Sequence, residues 1–102
     1  MSATRLLVLG VVRGYGRAHG YLVGNDLLSW GADEWANVKR GSIHHALERL
    51  TKDEFLREGW VAPGRTDHEV TERGEAEFMR LPLVLAEIFY SLSVRRYRRL
   101  NR

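Results

Sequence analysis

The spacing of apolar residues changes midway along the chain, and this change constrains the fold more than any other feature. Apolar residues first recur at helical intervals, most clearly at Ile43, Leu47 and Leu50. The segments Phe55–Val61 and His68–Thr71 then have the composition of two short strands around a Pro-Gly turn. Helical spacing resumes after them. The sequence therefore predicts a mostly α protein that contains one small β-hairpin.

Two helices are predicted near the start of the chain. The first runs from Thr4 to Arg13 and ends where glycines follow. The second runs from His19 to Leu28, and either Tyr21 or Leu22 points inward together with Leu28. A polar connection follows the second helix, and a short helical turn can form within it.

The third predicted helix has the strongest pattern in the chain. It opens at Gly41, where Ser42 is expected to cap exposed amides, and it ends near Asp53. Its apolar stripe leaves a polar outer face, made of His44, His45, Glu48, Arg49 and Lys52.

After the hairpin, Thr71 is expected to cap a fourth helix that has acids in its first turn and runs to Leu81. Pro82 can begin a further helix, because proline is tolerated in a first turn. That last helix carries an apolar stripe of Leu85, Ile88, Phe89 and Leu92. Such a stripe packs on its own domain, pairs with a second subunit, or meets sequence beyond this chain.

Charge is distributed unevenly. The net charge is +3, but residues 95–102 hold five arginines and no acid, whereas residues 1–94 hold 11 basic and 13 acidic groups. Any nucleic-acid interface must therefore rest on local patches. Cysteine is absent, which excludes disulfides and thiolate metal sites and favours a cytoplasmic protein.

Several function classes find no support in the sequence. There is no nucleophile elbow, HExxH motif, P-loop or dinucleotide fingerprint, so we expect neither an enzyme nor a bound cofactor. His44, His45 and Glu48 invite a metal interpretation, but a closed zinc site needs four ligands, so no metal is expected. No stretch reaches the roughly 18 to 20 apolar residues of a membrane span, and no signal-peptide pattern is present.

The order of three helices, a hairpin and a further helix is the winged helix-turn-helix plan, and four segments narrow it. The sequence resembles the PadR-like regulators in Leu6–Gly10, Ala18–Tyr21, Lys39–Leu50 and Glu69–Phe78. It departs from their pattern at Arg40, where the family usually has proline, and at His44, where it usually has tyrosine. These segments lie in a predicted DNA-binding domain of residues 1–81, followed by a dimerisation helix at 82–102.

The resemblance implies a sequence-specific transcriptional regulator, in particular a repressor that binds a palindromic operator in double-stranded DNA as a homodimer. The third helix would enter the major groove and the hairpin would act as the wing, with Arg65 at its tip. The implied DNA contacts are Lys39, Arg40, Ser42, His44, His45, Arg49, Lys52 and Arg65. The dimer contacts would be Leu85, Ile88, Phe89 and Leu92. The alternative is a winged-helix module that binds proteins and no DNA.

Aromatic residues offer a further indication. Trp30, Trp35 and Trp60 are expected to be core anchors, as tryptophans at the ends of elements usually are. Some PadR-like regulators sense phenolic acids or flat hydrophobic molecules at the dimer interface. The resemblance therefore implies a possible small hydrophobic or phenolic effector, for which Phe89, Tyr90 and Tyr97 are the candidate residues.

Overall fold

The structure is a computed structural model, and it describes residues 1–82 together with Glu87 and Ser91. Five helices and three strands follow one another in these residues. They are α1 (Ala3–Tyr15), β1 (Arg17–His19), α2 (Gly20–Ser29), α3 (Ala32–Trp35), α4 (Arg40–Lys52), β2 (Leu56–Ala62), β3 (Arg65–Val70) and α5 (Glu72–Met79). The predicted class, mostly α with a small hairpin, is confirmed.

The core forms around α1, whose sequence is too apolar to leave a polar face of any width. Five consecutive or near-consecutive residues of α1 are buried, namely Leu7, Val8, Leu9, Val11 and Val12. This helix packs against α2, α4 and α5 and also touches β3. The apolar side of α4 completes the core, because Ile43, Leu47 and Leu50 are each at most 2% exposed. Burying one such side chain contributes about 1.5–3 kcal/mol.

The sheet has three strands, one more than the sequence predicts. All pairings are antiparallel and the strand order is β1-β3-β2, so β3 lies in the middle. In the register, Ala18 of β1 faces His68, and Leu56 of β2 faces Val70. The turn of the hairpin is also tighter than expected. It comprises Pro63 and Gly64, and Gly64 adopts a φ of +77°, which favours glycine.

Helix α5 is fixed to the base of the hairpin. Its predicted cap is confirmed, because the Thr71 hydroxyl accepts a hydrogen bond from the amide of Gly74 at 3.0 Å. The same hydroxyl donates to the carbonyl of Glu54 at 2.6 Å. Gly74 lies so close to Phe55 that a Cβ atom built on it would come within 2.1 Å of the Phe55 carbonyl oxygen. Glycine is therefore required at this crossing.

Of the two alternatives for α2, Leu22 is the inward one, because it packs against the core whereas Tyr21 is 69% exposed. Val23 and Leu27 of the same helix are fully buried. Two other local predictions are wrong. Helix α4 begins at Arg40, so Ser42 lies inside its first turn and is not the capping residue. Trp60 is 76% exposed on the hairpin and anchors no core.

Two further local predictions agree with the structure. Trp30 is half-buried and packs against the core, as expected. The short helical turn of the connection is α3. The C-terminal helix, with Leu85, Ile88, Phe89, Leu92, Tyr90 and Tyr97, lies outside the described residues. Within the part of the chain that the structure describes, no helix has both the length and the apolar character needed to cross a bilayer.

Candidate nucleic-acid interface

The outer face of α4 is a polar helical surface beside the hairpin. His45 and Lys52 lie opposite the buried stripe on the helical wheel, and both are exposed. Lys52 has no ion pair among the described residues. Because its inner side is held by the core, α4 can present this face to a partner without losing its own packing.

One flank of α4 faces the start of α1. Ser42, His45 and Arg49 line a groove of about 320 Å³ with Ser2, Thr4 and Arg5. The Arg49 guanidinium lies 3.4 Å from the Asp53 carboxylate one turn further along. This exposed pair is worth little in stability, so Arg49 remains available to another anion.

The start of α4 is organised by Ser42, although not as predicted. The amide of Lys39 donates a hydrogen bond to Ser42 Oγ at 2.8 Å, and the Ser42 hydroxyl donates to the Lys39 carbonyl at 2.7 Å. Ser42 therefore supports the N-cap residue from within the first turn. The Lys39 side chain is exposed at the same end of the helix.

Arg40 turns back onto α2 instead of pointing away from the protein. Its guanidinium carbon lies 5.3 Å from the centre of the Tyr21 ring, and Nη2 donates to Asn25 Oδ1 at 2.6 Å. The guanidinium also lies over Gly24, where a Cβ would approach Nη1 to 3.0 Å. Arg40 thus ties the beginning of α4 to α2. The sequence did not reveal this role, although the spacing of Tyr21 and Asn25, one helical turn apart, is compatible with it.

The other flank of α4 faces the hairpin across an open cleft of about 440 Å³. His44 and Glu48 line it from α4, while Glu58, Thr66 and His68 line it from the strands. Arg65, His19, Gly20, Tyr21, Leu47 and Gly64 complete the lining. The structure therefore brings His44 and Arg65, two of the predicted contact residues, into the same cleft.

His68 is the buried titratable group of this cleft. It is 8% exposed, and its Nε2 lies 3.6 Å from the Glu58 carboxylate. Burial lowers the pKa of His68 below 6.5, and the neighbouring Glu58 opposes this shift only in part. The imidazole is therefore mostly neutral at pH 7 and acts as a structural group at the base of the hairpin.

The charged side chains of the sheet pair with one another. Arg65 Nε lies 3.1 Å from the carboxylate of Asp67, a residue that is only 5% exposed. Glu69 pairs with both Arg57 and Arg17 across the strands. These two arginines lower the pKa of Glu69. Arg65 was expected at the tip of the turn, but it is the first residue of β3 and already holds a partner.

Helices α1, α2 and α4, the hairpin and α5 together define a winged-helix fold, in which α4 is the helix that immediately precedes the hairpin. RosR of H. salinarum superposes with a TM-score of 0.62 at 16% identity, covering 91% of this chain and 76% of RosR. The complex structure of hsRosR-S4 gives the same score and identity over 91% of this chain and 72% of that one.

The structure also superposes on B. subtilis PadR in complex with operator DNA. It has a TM-score of 0.63 at 20% identity, and the match covers 85% of this chain but only 58% of PadR. The sequence matches no family model and no curated protein. At these identities the likeness concerns the fold, and it confirms the winged-helix architecture that the resemblance to PadR-like regulators implies.

Proposed function

We propose that this protein is a PadR-like transcriptional regulator that inserts α4 into the major groove of double-stranded DNA. The observation that carries the proposal is the geometry of α4, a 13-residue helix whose inner side is buried and whose outer side is free beside a projecting hairpin. A helix of this length spans about 20 Å, and the major groove, about 12 Å wide, admits it.

Local charge supports the same orientation. Helix α4 carries Arg40, Arg49 and Lys52 against one acid, Glu48, although residues 1–94 as a whole are slightly acidic. Of these cations, Arg49 and Lys52 lie on the exposed side of the last turn, where they can attract phosphate. Lys39 adds a further positive charge at the beginning of the helix.

The assembly we propose is a homodimer that represses transcription by occupying a palindromic operator. Two copies of α4 would lie one helical turn of DNA apart, roughly 34 Å. The complex of PadR with operator DNA supports, by fold similarity, the operator binding on which this assembly depends. The partner surface would be the apolar stripe of Leu85, Ile88, Phe89 and Leu92, because an isolated helix with such a stripe would expose it to water.

Selection from random duplexes by the purified protein tests the proposal. We expect an enriched palindromic motif, and an affinity for it that falls steeply with salt as phosphate contacts are screened. A protein-interaction module with the same fold would select no motif. The absence of any enriched sequence, together with salt-independent weak binding, would overturn DNA recognition.

The dimer is tested separately by charge insertion. Replacing Leu85 and Phe89 by glutamate should give a monomer in sedimentation and abolish tight binding to a two-half-site operator. Single half-sites should still be bound, at much lower affinity. A wild-type chain that stays monomeric at high micromolar concentration, or a double variant that stays dimeric, would contradict the assignment.

A small hydrophobic or phenolic effector that acts on the same dimer is part of the proposal. Phe89, Tyr90 and Tyr97 would line its site. Titration of the protein–operator complex with planar aromatic acids should release DNA, and alanine at Tyr90, which is outside the apolar dimer stripe, should abolish this release while the dimer persists.

A further inference from the structure

The cleft between α4 and the hairpin is lined by carboxylates that lack a countercharge. Glu48 lines it from α4 and Glu58 lines it from β2. Both are exposed, and among the residues that the structure describes neither pairs with an arginine or a lysine. Arg65 also lines the cleft, but it is already paired with Asp67 at 3.1 Å. The cleft is therefore negatively charged.

His68 adds a buried imidazole to the same cleft. The residue is only 8% exposed, and its Nδ1 has no hydrogen-bond partner of ordinary length among the described residues. Its Nε2 lies 3.6 Å from the Glu58 carboxylate, which is longer than an N–H···O hydrogen bond. A buried polar group that lacks a good partner is costly. A ligand in the cleft could reach Nε2, the ring nitrogen on the Glu58 side.

These groups fit a ligand that carries positive charge and several hydrogen-bond donors. An ammonium group has three N–H donors and a compact charge, so one such group can bind both a carboxylate and a neutral imidazole nitrogen. Glu58 and His68 offer that pair of acceptors on one wall. A metal ion fits less well, because no three histidine or acidic side chains of the described residues form a group that could hold one.

The position of Glu48 favours a second ammonium group on the same ligand. Glu48 belongs to α4, so it lies across the cleft from Glu58 and His68 on the strands. Leu47 and Tyr21 also line the cleft and provide apolar surface for an aliphatic chain between the two ammonium groups. The cleft volume of about 440 Å³ is within the range of small-molecule sites.

The two flanks of α4 differ in charge, and this gives the cleft a relation to DNA. The flank that faces α1 carries Arg5 and Arg49, whereas the flank that faces the hairpin carries Glu48 and Glu58. With α4 in a major groove, phosphates on the hairpin side would meet uncompensated carboxylates. A cation bound in the cleft would remove this repulsion.

We propose that the cleft between α4 and the hairpin binds an aliphatic diamine, held by Glu48 on one wall and by Glu58 and His68 on the other, and that its binding strengthens the protein–DNA complex. The site itself does not depend on DNA. Its effect on DNA affinity rests on the proposed function of α4. The site is separate from the proposed aromatic effector site of the dimer.

Calorimetric titration of putrescine into the protein without DNA tests the site. We expect binding that weakens as salt is added, because salt screens the carboxylates. Glu58→Gln should weaken binding roughly five- to twentyfold, since a charged acceptor beside the buried His68 is lost. Glu48→Gln should weaken it roughly two- to fivefold, as is usual for an exposed ion pair. n-Butylamine, which has one ammonium group, should also bind about two- to fivefold more weakly than putrescine.

Glu34→Gln is the matched control for these variants. It removes an exposed carboxylate from α3, outside the cleft, and should leave the affinity for putrescine unchanged. All three glutamates are exposed, so the glutamine variants should keep the thermal midpoint of the wild type. A loss of putrescine binding in Glu58→Gln can then be assigned to the site and not to unfolding.

Operator titrations test the effect on DNA binding. Without putrescine, the double variant of Glu48→Gln and Glu58→Gln should bind the selected operator roughly three- to tenfold more tightly than the wild type, because two carboxylates no longer repel phosphate. Putrescine also screens phosphate, and this lowers the affinity of both proteins. The wild type should therefore lose less affinity than the double variant, or gain affinity, when putrescine is added.

The outcomes separate the site from the proposed function. Equal affinity of wild type and Glu58→Gln for putrescine, or no binding by either, would overturn the site whatever the DNA result. Equal affinity for n-butylamine and putrescine would overturn the bridge between the two walls. An identical response of wild type and double variant in the operator titration would overturn the effect on DNA. Putrescine binding by a protein that binds no operator would confirm the site and remove the proposed function instead.

Discussion

Helix α4 and the hairpin differ in whether their cations are paired with carboxylates. On α4 the cations Arg49 and Lys52 are exposed, and only Arg49 has a carboxylate partner, one turn away on the surface. On the hairpin Arg57 and Arg65 are engaged with acids of the neighbouring strand or of the same strand. The helix therefore presents positive charge, while the hairpin pairs its two arginines and exposes Trp60 together with the Glu58 carboxylate, whose neighbour His68 is mostly neutral.

This difference separates two sources of affinity within one small domain. Exposed cations attract DNA over several ångströms and make binding depend on salt. An apolar side chain contributes only on close contact, and its contribution persists at high salt. In the proposed DNA complex, the salt-dependent part of the affinity would therefore come mainly from α4.

The largest effect is expected from a substitution at Gly74, because a side chain there would push α5 away from the base of the hairpin. A Cβ atom there would come within 2.1 Å of the Phe55 carbonyl oxygen, which is backbone and cannot turn aside. We expect Gly74→Ala to lower the free energy of unfolding by about 2–4 kcal/mol. Gly41→Ala is the matched control, since that helical glycine has open space around it and alanine there should be neutral or slightly stabilising. Urea unfolding of the two variants would show equal stability if the crossing at Gly74 were loose.

Next in size is the loss of charge from α4. Arg49→Ala combined with Lys52→Ala should weaken operator binding roughly ten- to hundredfold and lower the salt slope. The thermal midpoint should hardly move, because both side chains are exposed and surface ion pairs contribute little. Arg80→Ala removes an exposed cation from the end of α5 and serves as the control. Unaltered affinity in the double variant would remove α4 from the interface.

The exposed face of α4 can be predicted from the sequence, because it is set by the local spacing of apolar residues. Ile43, Leu47 and Leu50 repeat at the helical period, so the exposed positions are determined by elimination. The cap at Thr71 is equally local, since it needs only a hydroxyl before acids and a helical run.

The errors have a common physical origin in contacts between distant parts of the chain. Strand β1 is three residues long, too short for its alternation to be recognised in the sequence, and it becomes a strand only because β3 pairs with it. The exposure of Trp60 depends on which face of the hairpin it occupies and on how far the hairpin extends past β1. Arg40 makes contacts that its position in the sequence does not predict, since Tyr21 and Asn25 on α2 hold its side chain.

A smaller effect is expected from removing either charge of the Arg65–Asp67 pair in the hairpin. Arg65→Ala should reduce the salt slope by about one unit if the guanidinium also reaches a phosphate. It should cost about 1 kcal/mol of stability, because the buried Asp67 carboxylate loses a hydrogen-bond donor. Asp67→Asn leaves Arg65 with a weaker partner, so this variant should bind DNA more tightly and with a steeper slope. Equal slopes in all three proteins would confine Arg65 to its structural pair.

The smallest effect concerns pH and the base of the hairpin. Because burial lowers the pKa of His68, the unfolded chain binds a proton more readily than the folded protein does. Stability contributed by neutral His68 is present above its unfolded pKa of 6.5 and is lost as the pH falls below that value. Denaturant unfolding at pH 7.5 and 5.5 should therefore show a smaller decline in His68→Gln than in the wild type. A decline of the same size would mean that other groups cause it.

The pairing of β1 with β3 also limits which segments of this protein can be exchanged with those of other proteins of the same fold. Because β3 is the middle strand, both of its edges are paired, one by its hairpin neighbour and one by residues that lie near the start of the chain. A wing transplanted as a continuous hairpin would arrive with one edge of β3 unpaired, and isolated two-stranded ribbons are only marginally stable. Chimaeras that exchange wings between regulators of this fold must therefore exchange two separate segments, Arg17–His19 and Leu56–Val70, as a single unit.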